Sequence, residues 1–168
     1  MGRKRWTFGL IMTGLSALAG PGGLSAQDTS IGHAASLEAE AGSLIDQMKA
    51  WDDAADLLRE AAALRPIGDP VAVQNLVQAA KLSFYTGDER EALNGMEAAG
   101  ERALNEGDVL TAATAFADAA WIASDEGLGE RALKLAARAQ RLAFSPLIGN
   151  ADRVRLRERF HGSALQAG

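Results

Sequence analysis

From residue 36 onward the apolar positions recur at three- and four-residue spacing, with almost no alternating run and few clusters of β-branched residues, which predicts an all-helical chain. Within that pattern a small/large/small stripe occurs three times, at Ala54, Leu58 and Ala61, at Ala92, Met96 and Ala99, and, with alanine in the central place, at Ala132, Ala136 and Ala139. Each stripe is preceded by a segment with its own small pair: Ala41-Gly42, Ala79-Ala80 or Ala119-Ala120. A single helical pair cannot bury its apolar face alone, so three copies must stack on one another.

Stop residues divide the pattern into seven helices. The first is expected from about Ser36 to Met48, and the second from Trp51 to Leu64, where Arg65-Pro66 ends it because proline disfavours a helical residue before it. The third starts at Pro70, suited to a first helical turn, and ends at Tyr85 before Thr86-Gly87-Asp88. The fourth covers Arg90 to Asn105, the fifth Val109 to Asp125 and the sixth Gly129 to Phe144, where Ser145-Pro146 stops it. A last helix begins after Asn150, a good N-cap, and frays beyond His161. Connections this short make consecutive helices antiparallel neighbours.

These positions resemble the tetratricopeptide repeat, with its small pairs, its Ala-x3-large second helix and its terminating proline. Trp51, Ala54, Leu58, Ala61 and Pro66 stand where that family places its aromatic, small, large, small and proline residues. The first helix of that unit departs from the family in carrying Glu38 where a large apolar residue is usual. Leu76, Gly87-Asp88, Ala92, Met96 and Ala99 carry the second unit, in which Leu104 replaces the proline, and Phe116, Gly127, Ala132, Ala136 and Ala139 carry the third, in which Pro146 comes two residues late. The units are 38 and 40 residues apart, longer than the family's roughly 34. What the resemblance implies is a short right-handed α-solenoid of three degenerate units, at about 36–66, 70–105 and 109–146, closed by a capping helix at 151–161 and a frayed end at 162–168.

The N-terminus changes the setting. Arg3-Lys4-Arg5, an apolar run from Trp6 to Ala19 and a Pro21-Gly22-Gly23 breaker before Leu24-Ser25-Ala26 have the order of an export signal, with cleavage expected after Ala26 and Ala17-Leu18-Ala19 as a competing site. An uncleaved anchor is the alternative, but the run is about 14 residues, short of the roughly 18–20 that span a bilayer. Residues 27–35 are then expected to be a flexible tail. The absence of cysteine excludes disulfides, thiolate metal sites and lipid attachment to a cysteine, so packing alone must hold a periplasmic or secreted domain together.

Charge is uneven. Residues 27–126 carry 19 acidic and 6 basic side chains, whereas 127–168 carry 8 basic and 3 acidic ones. An acidic body argues against general nucleic-acid binding. The Arg153, Arg155, Arg157 and Arg159 run fits three roles: a polar cap for the array, a contact to an acidic surface of another chain, or a touch on anionic lipid.

Catalytic chemistry finds little support. His33, in the expected tail, and His161 are far apart in the chain and outside any metal-binding helix pattern, and Asp52-Asp53 and Asp88-Glu89 sit at helix starts, where carboxylates complement the dipole. No enzyme activity, cofactor or metal is expected. The resemblance instead implies a protein-binding scaffold whose first helices line a concave groove for an extended peptide or a helix of a partner. It places Ser43, Asp46 and Gln47 on that wall in the first unit, Gln74, Lys81, Phe84 and Tyr85 in the second, and Trp121, Ser124 and Asp125 in the third. Lys81, Tyr85 and Trp121 form its expected centre, with Gln47, Gln74 and Asp125 around it; Phe84 and Trp121 fit either groove or core. The alternative function is a structural subunit, weakly self-assembling through acidic body and basic end.

Overall fold

The computed structural model describes residues 25–156, so residues 1–24 of the expected export signal, Arg157, Arg159, His161 and the expected frayed end at 162–168 lie outside the described residues. Six helices are laid out in order: α1 (Ala26–Asp46), α2 (Trp51–Leu64), α3 (Pro70–Thr86), α4 (Glu89–Asn105), α5 (Val109–Asp125) and α6 (Gly129–Ala143). A further helix, α7, begins at 150 and continues to the last described residue, 156. No strand occurs among the described residues. Between α1 and α6, all substantial packing joins helices consecutive in the chain.

The interior is built from the stripes. Ala54, Leu58, Ala61, Ala92, Met96, Ala99, Ala132 and Ala139 are all buried, as are Ala79-Ala80 and Ala119-Ala120. Small side chains let backbones approach: a Cβ placed on Gly100 would stand 2.9 Å from the ring of Phe116, the largest fully buried side chain. Burying a phenylalanine is worth roughly 1.5–3 kcal/mol, and here the neighbouring glycine makes the space.

The turns on either side of α4 follow one chemical rule. Gly87 and Gly107 take positive φ (87° and 84°), which glycine adopts without a Cβ clash, and the next residue, Asp88 or Asp108, caps the following helix by accepting from Glu91 N–H or Thr111 N–H at 3.0 Å. The α1–α2 turn lacks such a pair. Met48 and Ala50 are themselves left-handed there, and Ala50 opens α2 without a side-chain cap.

The start of α1 corrects the expected helix at Ser36 and the flexible tail at 27–35. Ser25 and Asp28 form a reciprocal capping box, Ser30 Oγ donates to the Leu64 carbonyl at 2.9 Å, and Ala34 and Leu37 pack with Ala61. These contacts hold the alanine- and glycine-rich stretch helical, and His33 stands exposed on it. The expected cleavage point after Ala26 thus falls within the first turn of α1.

Polar side chains tie alternate helices together. Glu38 on α1, the departure from the repeat pattern, accepts from Arg65 Nε and Nη2 at 2.6 Å each and from Asn75 on α3 at 2.6 Å, while Arg65 also reaches Asp69 at 2.8 Å. These hydrogen bonds from Arg65 hold the Glu38 and Asp69 carboxyls below their ordinary values and raise the guanidinium's. Arg102 on α4 donates to the Ala62, Arg65 and Pro66 carbonyls at the end of α2. Arg131 and Arg138 on α6 pair with Glu97 and Glu101 on α4, and Arg138 lies 4.1 Å over the Phe116 ring.

Candidate functional site

The antiparallel order brings the start of α2, the end of α3 and the end of α5 to one end of the helices. Four aromatic rings from those segments touch in sequence. Trp51, the first residue of α2, meets Tyr85 edge-on with centroids 6.1 Å apart; Tyr85 meets its neighbour Phe84 at 6.2 Å; and Phe84 lies 5.1 Å from Trp121 on α5. These separations and tilts are those in which ring quadrupoles attract. Tyr85 is 68% exposed, whereas Trp51, Phe84 and Trp121 are half-buried, Trp51 packing on the Ala54–Leu58 cluster and the other two on the Phe116 cluster.

Two features set Trp51 apart. It follows the left-handed pair Met48 and Ala50, with Met48 largely exposed, and its buried indole N–H has no acceptor in the protein. An unsatisfied buried donor costs roughly 1–3 kcal/mol.

Beside the aromatic run lies an open cleft of about 440 Å³, bounded by the start of α2, the α3–α4 turn and the end of α5. Asp52, Asp56, Asp88, Glu89, Glu91 and Glu126 line it. Arg90 and Arg59 are the basic members, and Arg59 is engaged by Asp56 at 2.5 Å, Glu91 at 3.0 Å and Ser83 at 2.6 Å. Negative charge therefore dominates the rim. Asp88 is also the N-cap of α4, and Asp52 and Asp53 occupy the first turn of α2.

The expected wall is rearranged. Lys81 and Tyr85 are exposed one turn apart on α3, but Trp121 is half-buried and reaches Tyr85 through Phe84 rather than standing beside it as a free anchor, because its ring also packs on the α5 core. Gln74 is exposed eleven residues before Tyr85, about 16 Å along the helix, too far to share its patch. Gln47 is exposed and its amide donates to Ser43 at 2.9 Å; Asp46 and Asp125 are exposed, and Ser124 is half-buried. The spacing within units did not point to Trp51, whose place beside Tyr85 depends on the path of the chain between α2 and α3. Its mark in the sequence was the aromatic place it fills at the start of the first unit's second helix, which carried no binding role.

At the other end of the chain Arg153 donates to the Ser145 carbonyl at 3.0 Å, and exposed Arg155 stands 3.5 Å from Asp152. On the same helix Leu156 is buried with Ile148 and Ala143, whereas Val154 is exposed. Among the described residues no group of three or more His, Cys, Asp or Glu side chains could hold a metal ion, and no helix is long and apolar enough to cross a membrane. Comparison with protein families, with characterised proteins and with solved structures found no match to this chain.

Proposed function

We propose that this chain is a non-catalytic protein-interaction scaffold, a short tetratricopeptide-like α-solenoid that receives an extended segment of a partner protein on its aromatic edge. The observation that carries the reading is the continuous contact from Trp51 through Tyr85 and Phe84 to Trp121, with Tyr85 exposed at its outer side. Aromatic side chains present large, stiff contact area and commonly dominate binding energetics. The stacked-hairpin architecture is supported by packing between consecutive helices and by side-chain ties that join helix pairs about 34 to 37 residues apart in sequence. The basic, apolar and small-residue zones of the N-terminus support export to the bacterial periplasm or beyond.

Selection of displayed peptide libraries on the folded protein tests the reading. Enriched sequences should lose at least tenfold in affinity against Tyr85→Ala, whose helical content should be unchanged. A library that yields no segment dependent on Tyr85 would remove the aromatic edge as the binding surface.

The alternative of a self-assembling subunit draws on a different observation, the split between an acidic body, with 19 acidic and 6 basic side chains over 27–126, and a basic end, with 8 basic and 3 acidic ones over 127–168. Sedimentation against protein and salt concentration separates the readings, since assembly between acidic body and basic end grows with protein and shrinks with salt.

A further inference from the structure

We infer that the segment received on the aromatic edge is cationic, with lysine or arginine side chains entering the acidic cleft while neighbouring apolar or proline residues lie against Tyr85. The inference rests on the proposed scaffold role and specifies its partner by charge.

Position supplies the first part of the case. Asp52 directly follows Trp51, Thr86 and Gly87 directly follow Tyr85, and all three line the cleft, so rings and carboxylates border one continuous surface. A chain lying on Tyr85 reaches the cleft within one or two residues, because an extended chain advances about 3.3 Å per residue. Charge supplies the second. Six carboxylates line the cleft against two guanidiniums, and Arg59 is already neutralised by Asp56 and Glu91, which leaves Asp52, Asp88, Glu89 and Glu126 facing Arg90. An exposed aromatic ring bordered by carboxylates suits a cation twice over, through charge pairing and through attraction to the ring face. Lys81, one turn before Tyr85, is the only feature of α3 that would favour an acidic ligand instead.

The test uses three fluorescein-labelled dodecapeptides of alternating proline and a variable residue: arginine, citrulline, which keeps the shape without the charge, and glutamate. Fluorescence anisotropy is read on the full chain at low and physiological salt. The arginine peptide should bind at least tenfold more tightly than the citrulline peptide and should weaken with salt. Tyr85→Ala and the double variant Asp52→Asn with Glu126→Gln should each reduce its affinity at least fivefold. Glu60→Gln, an exposed acidic position of α2 outside the cleft, and Lys81→Ala should not weaken it.

Equal binding of the arginine and citrulline peptides would overturn the inference while leaving a Tyr85-dependent peptide scaffold standing. Tighter binding of the glutamate peptide, lost in Lys81→Ala, would overturn it in favour of an acidic partner. Arginine-peptide binding indifferent to Tyr85→Ala would reduce the effect to general attraction by an acidic protein and overturn it as well. Displacement of the peptide by a second copy of the chain, seen as dimerisation at the same protein concentration, would replace a foreign partner with the chain's own basic end. Should none of the three peptides bind while library selection still yields Tyr85-dependent segments, the inference fails and the scaffold reading survives.

Discussion

Leu93 on α4 and Leu133 on α6 each follow an alanine of the small/large/small stripe, Ala92 and Ala132, and so point in the same direction from helices forty residues apart. Leu93 is 0% exposed and Leu133 is 73% exposed. The difference lies in the neighbours: α4 has α3 on one side and α5 on the other, whereas α6 has α5 and, beyond it among the described residues, only the short stretch 150–156, which packs near Ala143. The same local pattern is core in one helix and surface in the other. Periodicity names the face a helix offers, and the next helix decides whether that face is buried.

The largest expected contrast is therefore between Leu93→Ala and Leu133→Ala. The first should lose roughly 2–5 kcal/mol, because a cavity opens in packed interior, and the second should stay within about 0.5 kcal/mol. Urea midpoints measure both, and equal losses would show that α6 is covered in solution.

A second contrast uses Glu38, which stands where the corresponding helices carry Leu76 and Phe116. Glu38→Gln should cost about 2 kcal/mol at neutral pH by weakening the charge-assisted bonds to Arg65. The Glu38 and Asp69 carboxyls titrate below their ordinary values of 4.5 and 3.8. Their contribution is present above those ordinary values and is lost as pH falls through the lower folded ones. Denaturation followed from pH 6 down to pH 2 should show this acid loss, with a shallower slope in Glu38→Gln.

Smaller effects follow. Gly100→Ala should lose about 1 kcal/mol, since the new Cβ meets the Phe116 ring at 2.9 Å and this crowding outweighs the gain in helix propensity, while Gln140→Ala, forty residues on and exposed, should be near neutral. Ala50→Gly should stabilise by about 0.5 kcal/mol, because Ala50 holds φ 46°, a left-handed conformation that glycine adopts without a Cβ clash. Thermal melts of Gly100→Ala and Ala50→Gly would expose either sign error.

Helices α2 to α6 were legible because their stops are local: Pro66, Gly87, Gly107, Gly127 and Pro146 end a periodic run wherever the chain goes next. The start of α1 was not, since Gln27 to Ala35 offers a single large apolar residue, Ile31, and becomes helical through the Ser25–Asp28 cap and the end of α2. Glycine-aspartate pairs at 68–69, 87–88 and 107–108 mark a helix-and-turn unit of about twenty residues, a plainer measure of the array than the alanine stripes. At the candidate site Tyr85 was legible from its place in the second unit. Trp51 was hidden because its contact joins the start of one helix to the end of the next, and Trp121 fitted two faces of α5 equally well by spacing.

The concentration of close backbone contacts between consecutive helices bears on how the chain reaches this state. No major interface has to wait for distant parts of the chain to meet, so the mean sequence separation of its contacts is small and the loop-closure entropy opposing each step is modest. Helical proteins of this kind fold in roughly microseconds to milliseconds. A hairpin can nucleate and the next helix can dock on it while later residues are still arriving, which suits a chain that must assemble without cysteine cross-links.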